Sequence, residues 1–477
     1  MTKDEYRDLL QQALPVAVDA GTIAPNPHTL FTPPTHRAAL DPDATIVRGA
    51  RGVGKTVWFR ALQDPELREL AAQTYQIGRL RAVVPLAGYG SELQPDRYPG
   101  PPVLADLLRS GADPQDIWTA VLLTALEVPQ LVGSEVKWAE RVNWVRTNPE
   151  DREQVLAAAD AEAGAQRVIK LLLFDALDAL HPDRADTDRL VDGILRLALE
   201  LRTRTRHLRA KAFIRHDMLD EAMLRFPDAS KLRSNAADLT WTAQNLFGLL
   251  FHYLGNADDS AAESFRSATG AWPELAGRFV PPGGLVGDSG EQQAAFELIA
   301  GPYMGTDRRK GRPYTWLPNH LIDGIGQVSP RSFLSALKRA NEISRDKYAA
   351  HSYALHWDGI RQGVQQASSI RVDEISEDLP WVRICVSPLA GLQVPIPQAE
   401  VVQRWRESGL SERLATSADS SSVRVGPRSM SNLDSLVDEL IELGVLTRRA
   451  DGRLDLPDVY RVAFGVGRKG GVPRLRG

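Results

Sequence analysis

The sequence predicts an α/β protein with a mostly parallel sheet, followed by a helical region and a small C-terminal domain of helices and a β-wing. Three observations carry this. From Ala44 to about Arg215, short apolar runs ("TIV", "RLRAVVPLA", "VIKLLLF", "KAFIR") alternate with longer helical patterns, which implies crossover connections and a sheet covered on both faces. A glycine-rich turn joins the first run to a helix starting near Lys55. The end of the chain changes to helices followed by "VLTRRADGRLDLPDVY", in which Asp451-Gly452 makes a tight turn between two short strands.

Taken in order, the pattern divides the chain into five parts. Residues 1–40 read as an amphipathic helix, Asp4 to Val18, and a Pro-rich extended strap, Ala24 to His36, lying on the next domain. Residues 41–255 read as the α/β core. Residues 256–300, rich in Gly, Ser, Asp and Pro, read as a flexible insertion. Residues 301–395 form a helical lid and linker, and 396–477 a winged-helix domain with a basic tail.

Composition sets the outer limits. At 477 residues the chain holds two or three domains, and a formal net charge of -4 supplies no global field for nucleic acid or membrane. The single cysteine, Cys385, excludes a disulfide framework and a thiolate cluster. Acids stand at the N-terminus where a signal peptide carries positive charge, and no apolar run approaches ~20 residues. The expectation is a soluble cytoplasmic protein with no membrane contact. The nine histidines show no H-E-x-x-H spacing, and G-x-S-x-G is absent. The ten tryptophans, including Trp58, Trp241, Trp316 and Trp381, read as core anchors.

The stretch that carries chemistry is "GARGVGKTV", Gly49, Ala50, Arg51, Gly52, Val53, Gly54, Lys55, Thr56 and Val57. It fits G-x-x-x-x-G-K-[ST], a P-loop: glycines let backbone N–H groups converge on phosphate oxygens, and the following helix adds its N-terminal dipole. Lys55 is placed to neutralise β- and γ-phosphates, and the Thr56 hydroxyl to ligate Mg²⁺. The strand "VIKLLLF" ends in Asp175, a second candidate Mg²⁺ ligand. Asp178, three residues on, is placed to orient or deprotonate water; a helix N-cap is its alternative reading. ATP and Mg²⁺ are the expected ligands.

"LLLFDALDAL" resembles the Walker B form of the STAND class of P-loop ATPases, NACHT-type proteins included, which belongs with the AAA+ group. The resemblance implies that the next strand ends in a residue that reads the γ-phosphate, which makes Arg215 in "KAFIRHD" the candidate. It also implies a lid arginine preceded by proline, matched by Arg331 in "VSPRSFLSAL", and a winged helix after the lid. Either arginine serves equally well in a structural salt bridge. A trans-acting role for Arg225 or Arg233 in a self-oligomer is a further possibility of that class, against solvated or paired arginines. The resemblance also implies large C-terminal sensor repeats, for which this sequence gives no expectation.

From Val402 onward there are thirteen Arg and Lys against ten Asp and Glu. Arg468, Lys469, Arg474 and Arg476 stand among glycines as candidate contacts to duplex DNA. The helix "MSNLDSLVDELIELG" carries four acids, which oppose insertion in a groove and favour a protein partner. "RTRTRHLRAK", Arg202 to Lys211, reads as a helix end whose cations complement the dipole. The reading that follows is an ATP-driven switch, which by resemblance to STAND proteins belongs to bacterial signalling or anti-phage defence. A DNA-transaction ATPase and a non-hydrolysing nucleotide-bound scaffold are the alternatives.

Overall fold

The computed structural model describes residues 1–15, 24–216, 218–219, 229–419, 426–427 and 432–470. The chain forms two compact units: Ala20–Ala50 with Gly54–Thr240, and Met1–Asp19 with Arg51–Val53 and Trp241–Gly477.

The first unit is an α/β layer structure. Its five strands are β1 (Ile46–Arg48), β2 (Val83–Tyr89), β3 (Ile169–Phe174), β4 (Leu208–Ile214) and β5 (Ala236–Asp238), in the order β2-β3-β4-β1-β5. All pairings are parallel, with Ile46 opposite Ala212 and Ala236, and Phe174 opposite Ala212. Parallel strands covered on both faces need apolar residues at successive positions, and Leu171, Leu172, Leu173 and Phe174 are all fully buried. Each such side chain contributes about 1.5–3 kcal/mol over its exposed state. The helices Pro114–Ala125 and Arg184–Arg204 complete the core; Trp118 meets Tyr89 and Phe174 edge-on and donates its indole N–H to the Leu190 carbonyl at 2.8 Å.

The strap from residue 24 onward belongs to this unit. The Tyr75 hydroxyl donates to the Pro33 carbonyl, Arg37 donates to the Tyr75 carbonyl, and Trp58 donates through Nε1 to Nδ1 of buried His36 at 2.9 Å. The basic run is absorbed internally: Arg204 pairs with Glu153 and Glu200, Arg209 with Asp43, and Lys211 is fully buried.

The second unit is helical. Its N-terminal helix, Lys3–Ala13, starts with a Thr2/Glu5 capping box and packs on Ala243–Gly255, Ser260–Thr269 and Pro330–Lys347. Buried Arg7 donates to the carbonyls of Tyr348, Ala349 and Ala354. This helix therefore departs from the expectation that residues 1–40 act as one strap, because its apolar face, Tyr6, Leu9 and Leu10, is satisfied by the helical unit. Phe247 gathers Phe251, Phe296, Tyr314 and Phe333 into an aromatic core. Since Ala243–Gly255 is buried there, the α/β unit ends at Thr240 rather than at 255.

The segment 256–300, expected to be a flexible insertion, contains the helices Ser260–Thr269 and Ser289–Ala300 and a two-stranded hairpin, Glu274–Leu275 with Arg278–Phe279. Its aspartates act as caps: Asp259 and Asp288 accept hydrogen bonds from the first turns of the two helices, and Phe265 and Phe296 are buried.

At the C-terminal end, the helices Gln398–Glu407, Leu410–Asp419 and Leu433–Glu442 precede an antiparallel hairpin, Thr447–Arg448 with Leu454–Asp455. Trp381, Trp405, Leu436 and Tyr460 share one core, and Gly467–Arg468 pairs with Gln393–Val394. Among the described residues, no helix is long and apolar enough to cross a membrane.

Candidate phosphate and magnesium site

Strand β1 delivers the glycine-rich loop to the C-terminal edge of the sheet, where ligands of open α/β sheets bind. The Gly49 N–H is tied to the Ile214 carbonyl at the end of β4, 3.1 Å away. Gly52 and Gly54 adopt φ of +78° and +101°, which non-glycine residues resist. The helix Lys55–Gln63 starts from Gly54, a residue without a side chain to cap it, so the first-turn amides face the loop.

Lys55 bends over this loop, with Nζ 2.9 Å from the carbonyls of both Gly49 and Ala50. Thr56, one residue on, has its hydroxyl close enough to Asp175 to favour the charged carboxylate; Asp175 follows β3 and is 3 % exposed. Burial raises the Asp175 carboxyl above the ordinary range; the Thr56 hydrogen bond, the Lys55 charge and the Ala176 N–H oppose this, and Asp178 adds to it. The next residue, Ala176, has φ +56°, a conformation disfavoured for alanine at a cost of about 1–3 kcal/mol. A hydroxyl and a buried carboxylate side by side are hard oxygen donors, and this donor set fits Mg²⁺.

Asp178 lies in the short turn Leu177–Ala179 and is exposed. It is not a helix cap: the next helix begins at Arg184, and its cap is Asp183, which accepts from the Asp186 N–H. Arg215 follows β4 directly, at the same edge of the sheet as Gly49 and Asp175.

The tip of the loop, Arg51–Val53, belongs to the helical unit and is held there by residues that no motif marks. Trp241 Nε1 donates to the Val53 carbonyl at 2.9 Å, Ser329 Oγ approaches the Gly52 carbonyl at 3.5 Å, and Arg371 approaches the Arg51 carbonyl at 3.4 Å. Arg51 itself reaches the Glu374 carbonyl at 3.2 Å and the Glu377 carboxylate at 3.1 Å. Arg331, in the first turn of Pro330–Lys347, pairs with the Glu374 carboxylate. Of these residues, Ser329 and Arg331 lie in the motif "VSPRSFLSAL"; Arg371, Glu374 and Glu377 carry no signal in the sequence.

The proposed DNA contacts fare differently. Arg468 is 7 % exposed and pairs with buried Asp455 and Asp458, so it is withdrawn from any duplex. Its position among glycines looks like a free tail in sequence, but those glycines let the strand fold back onto Gln393–Val394, and the Lys469 N–H bonds the Val394 carbonyl. Arg474, Arg476 and Arg225 lie outside the described residues; Arg233 is exposed. Along Leu433–Glu442, Asp434, Asp438 and Glu442 face solvent, and the hairpin arginines Arg448, Arg449 and Arg453 pair with Asp438, Asp455 and Asp451.

No protein-family model and no curated protein matches this chain. Among solved structures it is similar to the ORC2 protein of Aeropyrum pernix in its ADPNP-ADP complexes, at 13% identity and a TM-score of 0.38, covering 88% of this chain and 85% of that one. The ADP form of that protein gives 12% identity and a TM-score of 0.29, over 87% and 83% of the two chains. CDC6P of Pyrobaculum aerophilum gives 13% identity and a TM-score of 0.28, over 88% and 84%. Likeness at these TM-scores assigns no family. The α/β fold stands on the parallel five-stranded sheet and its register.

Proposed function

We propose that the chain is an ATP-hydrolysing switch of the STAND/AAA+ kind, with the loop Gly49–Val57 cradling the phosphates of ATP. The observation that carries this reading is the convergence of Lys55, Thr56 and Asp175 at one edge of the sheet. Lys55 neutralises charge on the β- and γ-phosphates, and Thr56 and Asp175 hold Mg²⁺. Held there by Thr56 and Asp175, the ion would supply positive charge to offset the charge that develops on the phosphate oxygens. Asp178, exposed and three residues past Asp175, orients the attacking water. Arg215 and Arg331 stabilise the transferring phosphoryl group, and the lid passes the nucleotide state to a C-terminal winged-helix domain.

The acidic outer face of Leu433–Glu442 and the internal pairing of the wing arginines favour a protein partner for that domain over duplex DNA. A role in bacterial signalling or defence rests on the Walker B resemblance alone.

The test is steady-state MgATP hydrolysis by wild type and Lys55→Ala, each with and without duplex DNA at two salt concentrations. Turnover that requires Lys55 and ignores DNA supports the switch. Turnover stimulated by DNA in a salt-sensitive way moves the assignment to a DNA-transaction ATPase, and tight binding without turnover moves it to a scaffold.

A further inference from the structure

Toward the C-terminal end of the helical unit, arginines are matched by acids: Arg383 pairs with Asp373, Arg449 and Arg468 with Asp455, and Arg461 with Asp458. Arg404 and Arg413 depart from this pattern. Both line a cavity of about 310 Å³, and neither has an acid within ion-pair distance among the described residues.

The cavity lies where three elements meet: the turn Ser387–Leu389, the last turn of Gln398–Glu407 and the first turn of Leu410–Asp419. Its walls are held by buried neighbours. Leu389, Trp405 and Leu414 are buried, and Trp405 Nε1 donates to the Cys385 carbonyl at 2.7 Å, which ties Gln398–Glu407 to Pro380–Val386. Arg404 precedes Trp405 and Arg413 precedes Leu414, so two guanidinium groups reach the cavity from two separately anchored helices.

The rest of the lining accepts hydrogen bonds. The Ser387 and Ser408 hydroxyls donate to the carbonyls of Arg383 at 2.6 Å and Trp405 at 2.9 Å, which leaves their oxygens to accept from a ligand. Glu407 adds a carboxylate, steadied by the Gln403 amide at 2.9 Å. A complementary occupant therefore carries an oxyanion for the arginines and donors for the serines and Glu407. One guanidinium fork fills a planar carboxylate, whereas a phosphoryl group has three oxygens and takes two forks from different directions. Two arginines and one glutamate leave a single positive charge on the lining, which a phosphate dianion joined to an ammonium balances.

We propose that this cavity binds a small phosphomonoester that also carries an N–H donor, with Arg404 and Arg413 on the phosphoryl oxygens and Glu407 on the donor. Free O-phosphoserine and a phosphoserine within a protein share this chemistry. The cavity lies wholly within the helical unit, and the inference is independent of the nucleotide reading.

The test is calorimetric titration of the full-length protein with inorganic phosphate, O-phosphoserine, serine and an otherwise neutral peptide bearing one phosphoserine. Wild type is compared with Arg404→Gln, Arg413→Gln, Arg413→Lys, Glu407→Gln and Lys55→Ala. The phosphorylated probes are expected to bind and serine is not. Each arginine-to-glutamine change weakens them about tenfold or more, and Arg413→Lys, which keeps the charge but loses the fork, falls between. Lys55→Ala leaves them unchanged, which separates the cavity from the glycine-rich loop. Glu407→Gln removes a like charge and tightens inorganic phosphate about threefold, while it weakens O-phosphoserine. Tighter binding of the peptide than of the free amino acid assigns a protein-borne phosphate; the reverse assigns a free metabolite. Arg404 is half-buried and Arg413 exposed, so the variants are expected to melt with wild type. Absence of binding by both phosphorylated probes at millimolar concentration, binding indifferent to both arginines, or binding lost in Lys55→Ala overturns the inference.

Discussion

The Thr56 hydroxyl, in the first turn of the helix after the glycine-rich loop, lies close enough to Asp175, which follows β3, to favour its carboxylate form. Burial disfavours the charge on Asp175, and folding alone gives that charge little in return. Asp175→Asn keeps an acceptor for Thr56 and removes the charge. Its melting temperature is expected to equal or exceed that of wild type, while the tightening of nucleotide binding by Mg²⁺ is lost, by at least about tenfold. Chelation of Mg²⁺ by EDTA should bring wild type to the level of the variant. A variant that melts lower and still responds to Mg²⁺ would show Asp175 to be purely structural.

Gly52 offers a second test, because its backbone and its surroundings both exclude a side chain. Its φ of +78° strains any L residue, and an added Cβ would lie 2.6 Å from Ser329 Oγ. Gly54 has φ +101° but open space around it. Gly54→Ala is therefore expected to cost about 1–2 kcal/mol by strain alone. Gly52→Ala should cost more in chemical denaturation, and Ser329→Gly should recover part of the difference. Equal losses in the two alanine variants, with no recovery, would refute the clash.

The sequence displays the part of the site that is local and hides the part that is tertiary. Gly49 to Thr56 is contiguous, and Asp175 ends an apolar run that only a strand buried on both faces tolerates, so both were legible. Arg371 and Glu374 sit in the helix Trp357–Asp378 with ordinary (i, i+3) spacing, and they gain meaning only when the fold brings them to Arg51, some 320 positions earlier in the chain. Two misreadings share one cause. Polar and glycine-rich stretches signal loops by composition, yet Asp259 and Asp288 cap helices, and the glycines around Arg468 allow a strand that buries it. Asp178 and Asp183 show the limit of spacing, since either could begin a helix and only the second does.

His36 makes stability depend on pH. It is fully buried, accepts the Trp58 indole N–H at Nδ1, and burial pushes its pKa down to about 3 from 6.5. Because the folded-state value is depressed, the contribution is fully present above pH 6.5 and is lost as pH falls from there toward 3. At pH 5 the loss relative to pH 7.5 is about 2 kcal/mol. Denaturant melts at the two pH values should show His36→Gln losing less stability on acidification than wild type by roughly that amount. Parallel losses in the two proteins would remove His36 as the source.

Lys211 sets a buried charge against three carbonyls. Its Nζ donates to Ala39 at 2.7 Å, Asp41 at 2.9 Å and Ala44 at 2.6 Å, while burial pushes its pKa down to about 7 from 10.5. The carbonyls belong to the short helix Arg37–Leu40 and the turn after it, which lead into β1, so the lysine on β4 fixes the strand that carries the glycine-rich loop. Lys211→Met removes the cost of the buried charge but leaves these acceptors without their donor, at about 1–3 kcal/mol for each that stays buried. The carbonyls outweigh the charge, and a net loss of about 2–4 kcal/mol is expected in denaturant melts. The pH slope gives an independent sign. A depressed lysine pKa means that the unfolded chain binds the extra proton between pH 7 and 10.5, so this residue makes stability rise with pH across that window. The rise should be absent in Lys211→Met; a methionine variant as stable as wild type, with the same slope, would show that the amine neither holds the turn nor carries a buried charge.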